Sequence, residues 1–78
     1  MYMVRKGKYA NIKPVKKLAN FLIEYRVEND LSRDELARKT DISSRYIAEL
    51  ENCEKRCTIE FLYKIIVNLG VDFNSIFE

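Results

Sequence analysis

The chain has 78 residues, 47% of them apolar and 33% charged, and a formal net charge of +2. This is the size of one small domain, too apolar for a disordered tail, and two glycines with one proline leave little material for a turn-dense β fold. The charge is uneven: residues 1–17 carry Arg5, Lys6, Lys8, Lys13, Lys16 and Lys17 and no acid, whereas residues 18–78 set eight basic side chains against all twelve acids, a balance of −4. A basic segment on a mildly acidic body predicts an arm that seeks phosphate or an acidic partner; its plainer reading is a solubilising tail.

With two cysteines, Cys53 and Cys57, and no histidine, one chain does not supply four thiolate or imidazole ligands for zinc. Their spacing is not that of a C-x-x-C redox pair, so free thiols in a reducing cytoplasm are expected. No apolar run approaches the ~20 residues of a membrane span, and Arg5-Lys6 interrupts Met1-Tyr2-Met3-Val4 too early for a signal peptide. Neither a metal nor a cofactor is expected, and no membrane association.

Residues 1–13 lack helical periodicity and are expected to form a basic N-terminal arm or a small hairpin turning at Lys6-Gly7-Lys8. Residues 14–78 form the folded domain. Pro14 suits a first helical turn, and Val15, Leu18, Leu22 and Tyr25 mark an apolar face, so a first helix is predicted over 14–28, closed by Asn29-Asp30. Ser32 with Glu35 reads as a capping box for a second helix over 33–39 that buries Leu36 and Ala37. Asp34/Arg38 and Glu35/Lys39 are placed to form i, i+4 pairs on it. A turn at Thr40-Asp41-Ile42 leads to Ser43, the cap of a third helix. There Ile47 and Leu50 point inward with Ile42, while Ser44, Arg45, Ala48, Glu49 and Asn52 lie toward the other side. A polar connection over 53–57 precedes a fourth helix capped by Thr58, striped by Leu62, Ile65, Ile66 and Leu69 and ended by Gly70. Asp72 is expected to cap a short fifth helix with Ile76 and Phe77.

The segments LSRDELA, DIS, RYIAELEN, TIEFLYKI and NLGVDFNSIF stand in an order and at intervals that resemble the lambda repressor/Cro-like (XRE-type) helix-turn-helix domains, over roughly residues 18–77. The resemblance implies an all-α, compact five-helix fold whose third helix, about 43–52, is a DNA recognition helix. It places Ser44, Arg45 and Glu49 toward bases, with Ser43 at the start of that helix. Arginine can donate two hydrogen bonds to guanine N7 and O6, and glutamate can accept from a cytosine amine; an Arg45–Glu49 ion pair on a solvated face is the competing reading. Arg33, at the first position of helix 2, and Asn52, Lys55 and Arg56 after helix 3 would contact phosphate, setting affinity and register rather than sequence preference. Arg26 and Glu51 fall where related repressors hold a structural ion pair. Asp30, Asp41 and Cys53 stand where glycine is frequent, so the turn after helix 3 is open to a different path.

The expected function is sequence-specific DNA binding by a transcriptional regulator, a repressor acting as a homodimer on a palindromic double-stranded site, in the cytoplasm. Tyr63, Val67 and Phe73 are candidates for the dimer surface, or else pack against helix 1 or the arm. The alternative is a protein-interaction module, such as an antitoxin or adaptor, which the −4 body favours over DNA. An enzyme is not expected, because the serines and acids find an explanation as helix caps.

Overall fold

The computed structural model describes residues 7–78; the proposed arm or hairpin lies partly in residues 1–6, outside the described residues. Among the described residues all regular structure is helical: α1 (Lys13–Glu28), α2 (Arg33–Thr40), α3 (Ser44–Glu51), α4 (Ile59–Leu69) and α5 (Phe73–Phe77). α1 starts one residue earlier than proline placement predicts, with Pro14 still inside the first turn, where no helical acceptor awaits its missing N–H.

Local chemistry sets the helix ends. Ser32 accepts a hydrogen bond from the Glu35 amide at 3.0 Å while Glu35 accepts one from the Ser32 amide at 2.7 Å, a complete capping box. Those Ser32 bonds, backbone first, hold the Glu35 carboxyl below its usual pKa, with Arg38 adding a smaller attraction. Ser43 and Thr58 cap α3 and α4 by accepting from the Tyr46 and Phe61 amides. Asp72 departs from expectation. It occupies the position before α5 with extended backbone, but its side chain makes no capping bond. The helix that follows has five residues and is held mainly by burial of Ile76.

The predicted pairs along α2 also resolve differently. Asp34 accepts from the Ser44 hydroxyl at 2.5 Å and Glu35 is engaged with Ser32, so these acids turn to a neighbouring helix and to a cap rather than to Arg38 and Lys39. A cap bond satisfies an otherwise orphaned amide, whereas an exposed helical ion pair contributes only a few tenths of a kcal/mol, so the cap prevails.

Each helix contributes to a single core: Leu18 and Leu22 from α1, Leu36 and Ala37 from α2, Ile47 and Leu50 from α3, Ile65 from α4 and Ile76 from α5, with Ile42 from the α2–α3 turn. Leu22, Leu36, Ile47 and Ile65 are fully buried, and each such side chain contributes roughly 1.5–3 kcal/mol of transfer free energy. Polar contacts lock the remaining carbonyls. Lys64 Nζ donates to the Asp41 carbonyl at 3.1 Å and Asn68 Nδ2 to the Thr40 carbonyl at 2.9 Å, so α4 satisfies carbonyls at the end of α2. Lys17 Nζ similarly joins α1 to the Phe77 carbonyl at the end of α5.

Candidate nucleic-acid interface

α2 and α3 are joined by a tight turn whose backbone is left-handed at Asp41 (φ 60°), which redirects the chain between them. Ile42 drops into the core within that turn, and the Ser44–Asp34 bond ties the first turns of the two helices together. α3 presents Ile47 and Leu50 inward, which leaves Arg45 on the opposite side with 88% of its side chain exposed. Arg45 Nε lies 3.6 Å from Glu49 Oε2. A pair that long and that exposed is worth well under 1 kcal/mol, and a stronger acceptor can displace it.

Ser43 and Ser44 are both engaged at the start of α3, one as the cap and the other with Asp34. Asn52 closes α3 as an exposed residue. Lys55 and Arg56 follow on an exposed loop, with the Arg56 carbonyl accepting from the Tyr46 hydroxyl at 3.0 Å. Burial raises the pKa of that hydroxyl, keeping it a donor. The same loop carries Cys57, whose thiol is pushed up by burial to about 11 and stays protonated at neutral pH.

Behind this surface, Glu51 is buried at 1% exposure and carries two guanidinium partners. Arg26 of α1 binds it in bidentate fashion, Nε to Oε2 at 2.7 Å and Nη2 to Oε1 at 3.0 Å. Arg33 of α2 adds Nε to Oε1 at 2.8 Å. The Arg26–Glu51 contact joins α1 to α3, and Arg26 also donates to the Leu31 carbonyl at 3.4 Å. Sequence reasoning did not place Arg33 in this cluster. Its exposed position at the head of α2 conceals an 18-residue separation from Glu51 that only packing closes. Among the described residues two guanidiniums share this one carboxylate, and the Arg33 side chain remains 43% exposed at the amino end of α2.

The other unforeseen feature is the segment before α1. Residues 7–12 form consecutive turns that seat on the end of α3: the Tyr9 amide donates to the Cys53 carbonyl at 2.9 Å. A Cβ at Gly7 would overlap the Asn52 and Cys53 carbonyls. Cys53 itself takes φ 59°, as Asp30 takes 56°, so both positions keep the left-handed turn that glycine usually serves. The path after α3 is therefore retained despite the cysteine.

Two short helices joined by a tight turn, the second carrying an exposed polar face with basic side chains near it, define a helix-turn-helix protein. The profile of the helix-turn-helix family HTH_3 matches residues 22–76, and the chain belongs to that XRE-type family. Among solved structures, an HTH_3 family transcriptional regulator from Vibrio cholerae is 32% identical with a TM-score of 0.73, covering 81% of this chain and 35% of its own. The present chain thus spans about a third of that regulator's length. The restriction-modification controller protein C.Esp1396I is 25% identical at TM-score 0.70 and the clp gene regulator ClgR from C. glutamicum 25% at 0.71, each with 82% of both chains covered. No curated protein gives a significant match. No helix among the described residues is long and apolar enough to cross a membrane.

Proposed function

We propose that this protein is a sequence-specific DNA-binding transcriptional regulator, a repressor that binds a palindromic site as a homodimer in the cytoplasm. The observation that carries the reading is the placement of Arg45. It stands almost wholly exposed on the outer face of α3, with exposed cations at the head of α2 (Arg33) and on the loop after α3 (Lys55 and Arg56). An α-helix fits the major groove, where arginine reads guanine by two hydrogen bonds, and flanking cations on phosphates fix the register. Glu49, next to Arg45, accepts from a cytosine amine once the weak pair between them opens. Ser44 keeps acceptor capacity while it donates to Asp34. Arg33, Ser43, Asn52, Lys55 and Arg56 supply the backbone contacts, and the basic residues 1–13 add charge that the acidic body lacks. The family and the regulators that resemble it favour this binding role over catalysis.

Selection of random duplexes by the purified protein tests the proposal. A two-fold symmetric motif should be enriched, and Arg45→Ala should weaken binding to it by about 1–3 kcal/mol and relax preference at one base pair of each half-site. Retention with no sequence preference, lost at physiological salt, would instead favour a protein-interaction module on the same fold.

A further inference from the structure

The Tyr9 ring lies directly against Arg56, with the guanidinium carbon 4.9 Å from the ring centroid, and Lys8 Nζ approaches the same ring at 5.8 Å. Three constraints hold this arrangement. The Tyr9 amide is bonded to the Cys53 carbonyl at 2.9 Å. Gly7 packs so closely on the Asn52–Cys53 peptide that no side chain fits there. The Arg56 backbone is pinned by the Tyr46 hydroxyl at 3.0 Å, and Tyr46 in turn packs on Phe61 of α4 with ring centroids 4.5 Å apart. The stacking partner is thus anchored to the end of α3 and the arginine, through Tyr46, to its first turn.

An arginine in an exposed loop samples many rotamers, and fixing it for one contact costs side-chain entropy. A guanidinium lying on an aromatic face keeps its N–H edges free, because the attraction uses the flat face of the ion. Those edges remain available to a phosphate oxygen. We propose that Tyr9 is a positioning residue for Arg56: the turn over residues 7–12 straps the loop after α3 and holds the Arg56 guanidinium pre-oriented for a DNA phosphate. The inference rests on the DNA-binding reading above and adds to it a role for a segment that precedes the first helix.

The test is a double-mutant cycle on the full chain, read by affinity for the selected duplex and by its salt dependence. Arg56→Ala should weaken binding and flatten the salt slope by about one phosphate. Tyr9→Leu should weaken it about three- to tenfold, the range of a lost cation–π contact, and Tyr9→Phe should restore wild-type affinity. In the Tyr9→Leu/Arg56→Ala double variant the two losses should fall short of multiplying. Gly7→Ala should act like Tyr9→Leu, because it displaces the strap without touching Arg56. Thermal unfolding of each variant checks that the fold survives; if Tyr9→Leu unfolds, the Gly7→Ala and Arg56→Ala pair completes the cycle. Losses that multiply independently, or Tyr9→Phe failing as badly as Tyr9→Leu, would overturn the positioning role. An Arg56→Ala variant with unchanged affinity and salt slope would remove Arg56 from the interface, whereas absence of any duplex binding would sink the DNA reading itself.

Discussion

Glu51 is where burial and charge collide most sharply. A carboxylate with 1% exposure needs counter-charge, and among the described residues two guanidiniums meet it, Arg26 on both oxygens and Arg33 on one. The cluster joins α1, α2 and α3 at one point, so its loss should loosen the presentation of α3 as well as the fold. Removal of one member of a buried pair typically costs 3–5 kcal/mol, and here the guanidiniums keep some solvent, which screens them once unpaired. Glu51→Gln should therefore lower unfolding stability by about 2–4 kcal/mol in urea titration. Glu51→Leu combined with Arg26→Leu should recover part of that loss, because no guanidinium of α1 is then left unmatched. An unchanged urea midpoint for Glu51→Gln would mean that the carboxylate charge is dispensable. Arg26 and Glu51 were legible in the sequence through their spacing within a familiar pattern. Arg33 was legible only as an exposed cation, since its second role depends on a contact between residues 18 positions apart. Arg45 shows the same limit from the other side. Spacing assigns it to the outer face and offers Glu49 as an i, i+4 partner, but how loose and exposed that 3.6 Å contact is depends on side-chain geometry that spacing does not carry.

At the scale of elements, the helix boundaries were readable because they are written in local chemistry. Ser32, Ser43 and Thr58 each cap the helix that follows, and Gly70 ends α4 with φ 65°. Asp72 was misread for a related reason: a capping residue type does not ensure a capping bond, and the five-residue α5 is held by Ile76 and by the Phe73–Phe77 ring contact at 4.6 Å. A turn at Lys6-Gly7-Lys8 was expected, but the docking of residues 7–12 on the end of α3 was not legible, because its partner is a peptide more than 40 positions away rather than a periodic apolar face. The left-handed turns sit between these cases. Their positions follow from the family's glycine pattern, but their persistence with Asp30, Asp41 and Cys53 follows from backbone bonds around them, such as the Leu31 amide donating to the Arg26 carbonyl at 2.8 Å. Side chains in that region are strained, aspartate less than alanine, and glycine least. Asp30 is exposed, so substitution there reports the backbone alone. Stability should run Asp30→Gly above wild type above Asp30→Ala, over a total span of about 1 kcal/mol in thermal unfolding. A variant order with alanine above glycine would show that the unfolded-state entropy of glycine outweighs the relief of strain.

For the molecule as a whole, the core accounts for one side of α4, and among the described residues the other side stays exposed. Ile59, Tyr63 and Val67 recur every four residues along that outer side with exposures of 87%, 67% and 54%, and Phe73 of α5 adds a ring at 56%. Single exposed apolar residues are ordinary, but a stripe that follows the helical repeat is the pattern of a surface that meets another. A self-complementary patch of this kind closes into a two-fold dimer, and a stable one needs roughly 800 Å² from each partner, with a few apolar side chains at its centre. Two-fold symmetry would then repeat the α3 face and its Arg45 on the partner, and DNA with matching half-sites about one helical turn apart would engage both. Val67→Lys puts a charge into that contact while leaving the monomer core untouched. It should convert the protein to a monomer in sedimentation equilibrium, with unfolding stability of the monomer changed by no more than about 0.5 kcal/mol. Affinity for the full palindrome should fall toward that for an isolated half-site, because the second half-site no longer binds as part of the same complex. Tyr63→Glu should do the same from the middle of the stripe. If both variants stay dimeric and keep the palindrome, another face makes the dimer; if the unaltered protein sediments as a monomer even on the palindrome, the symmetric reading of the site is wrong while the single recognition helix still stands.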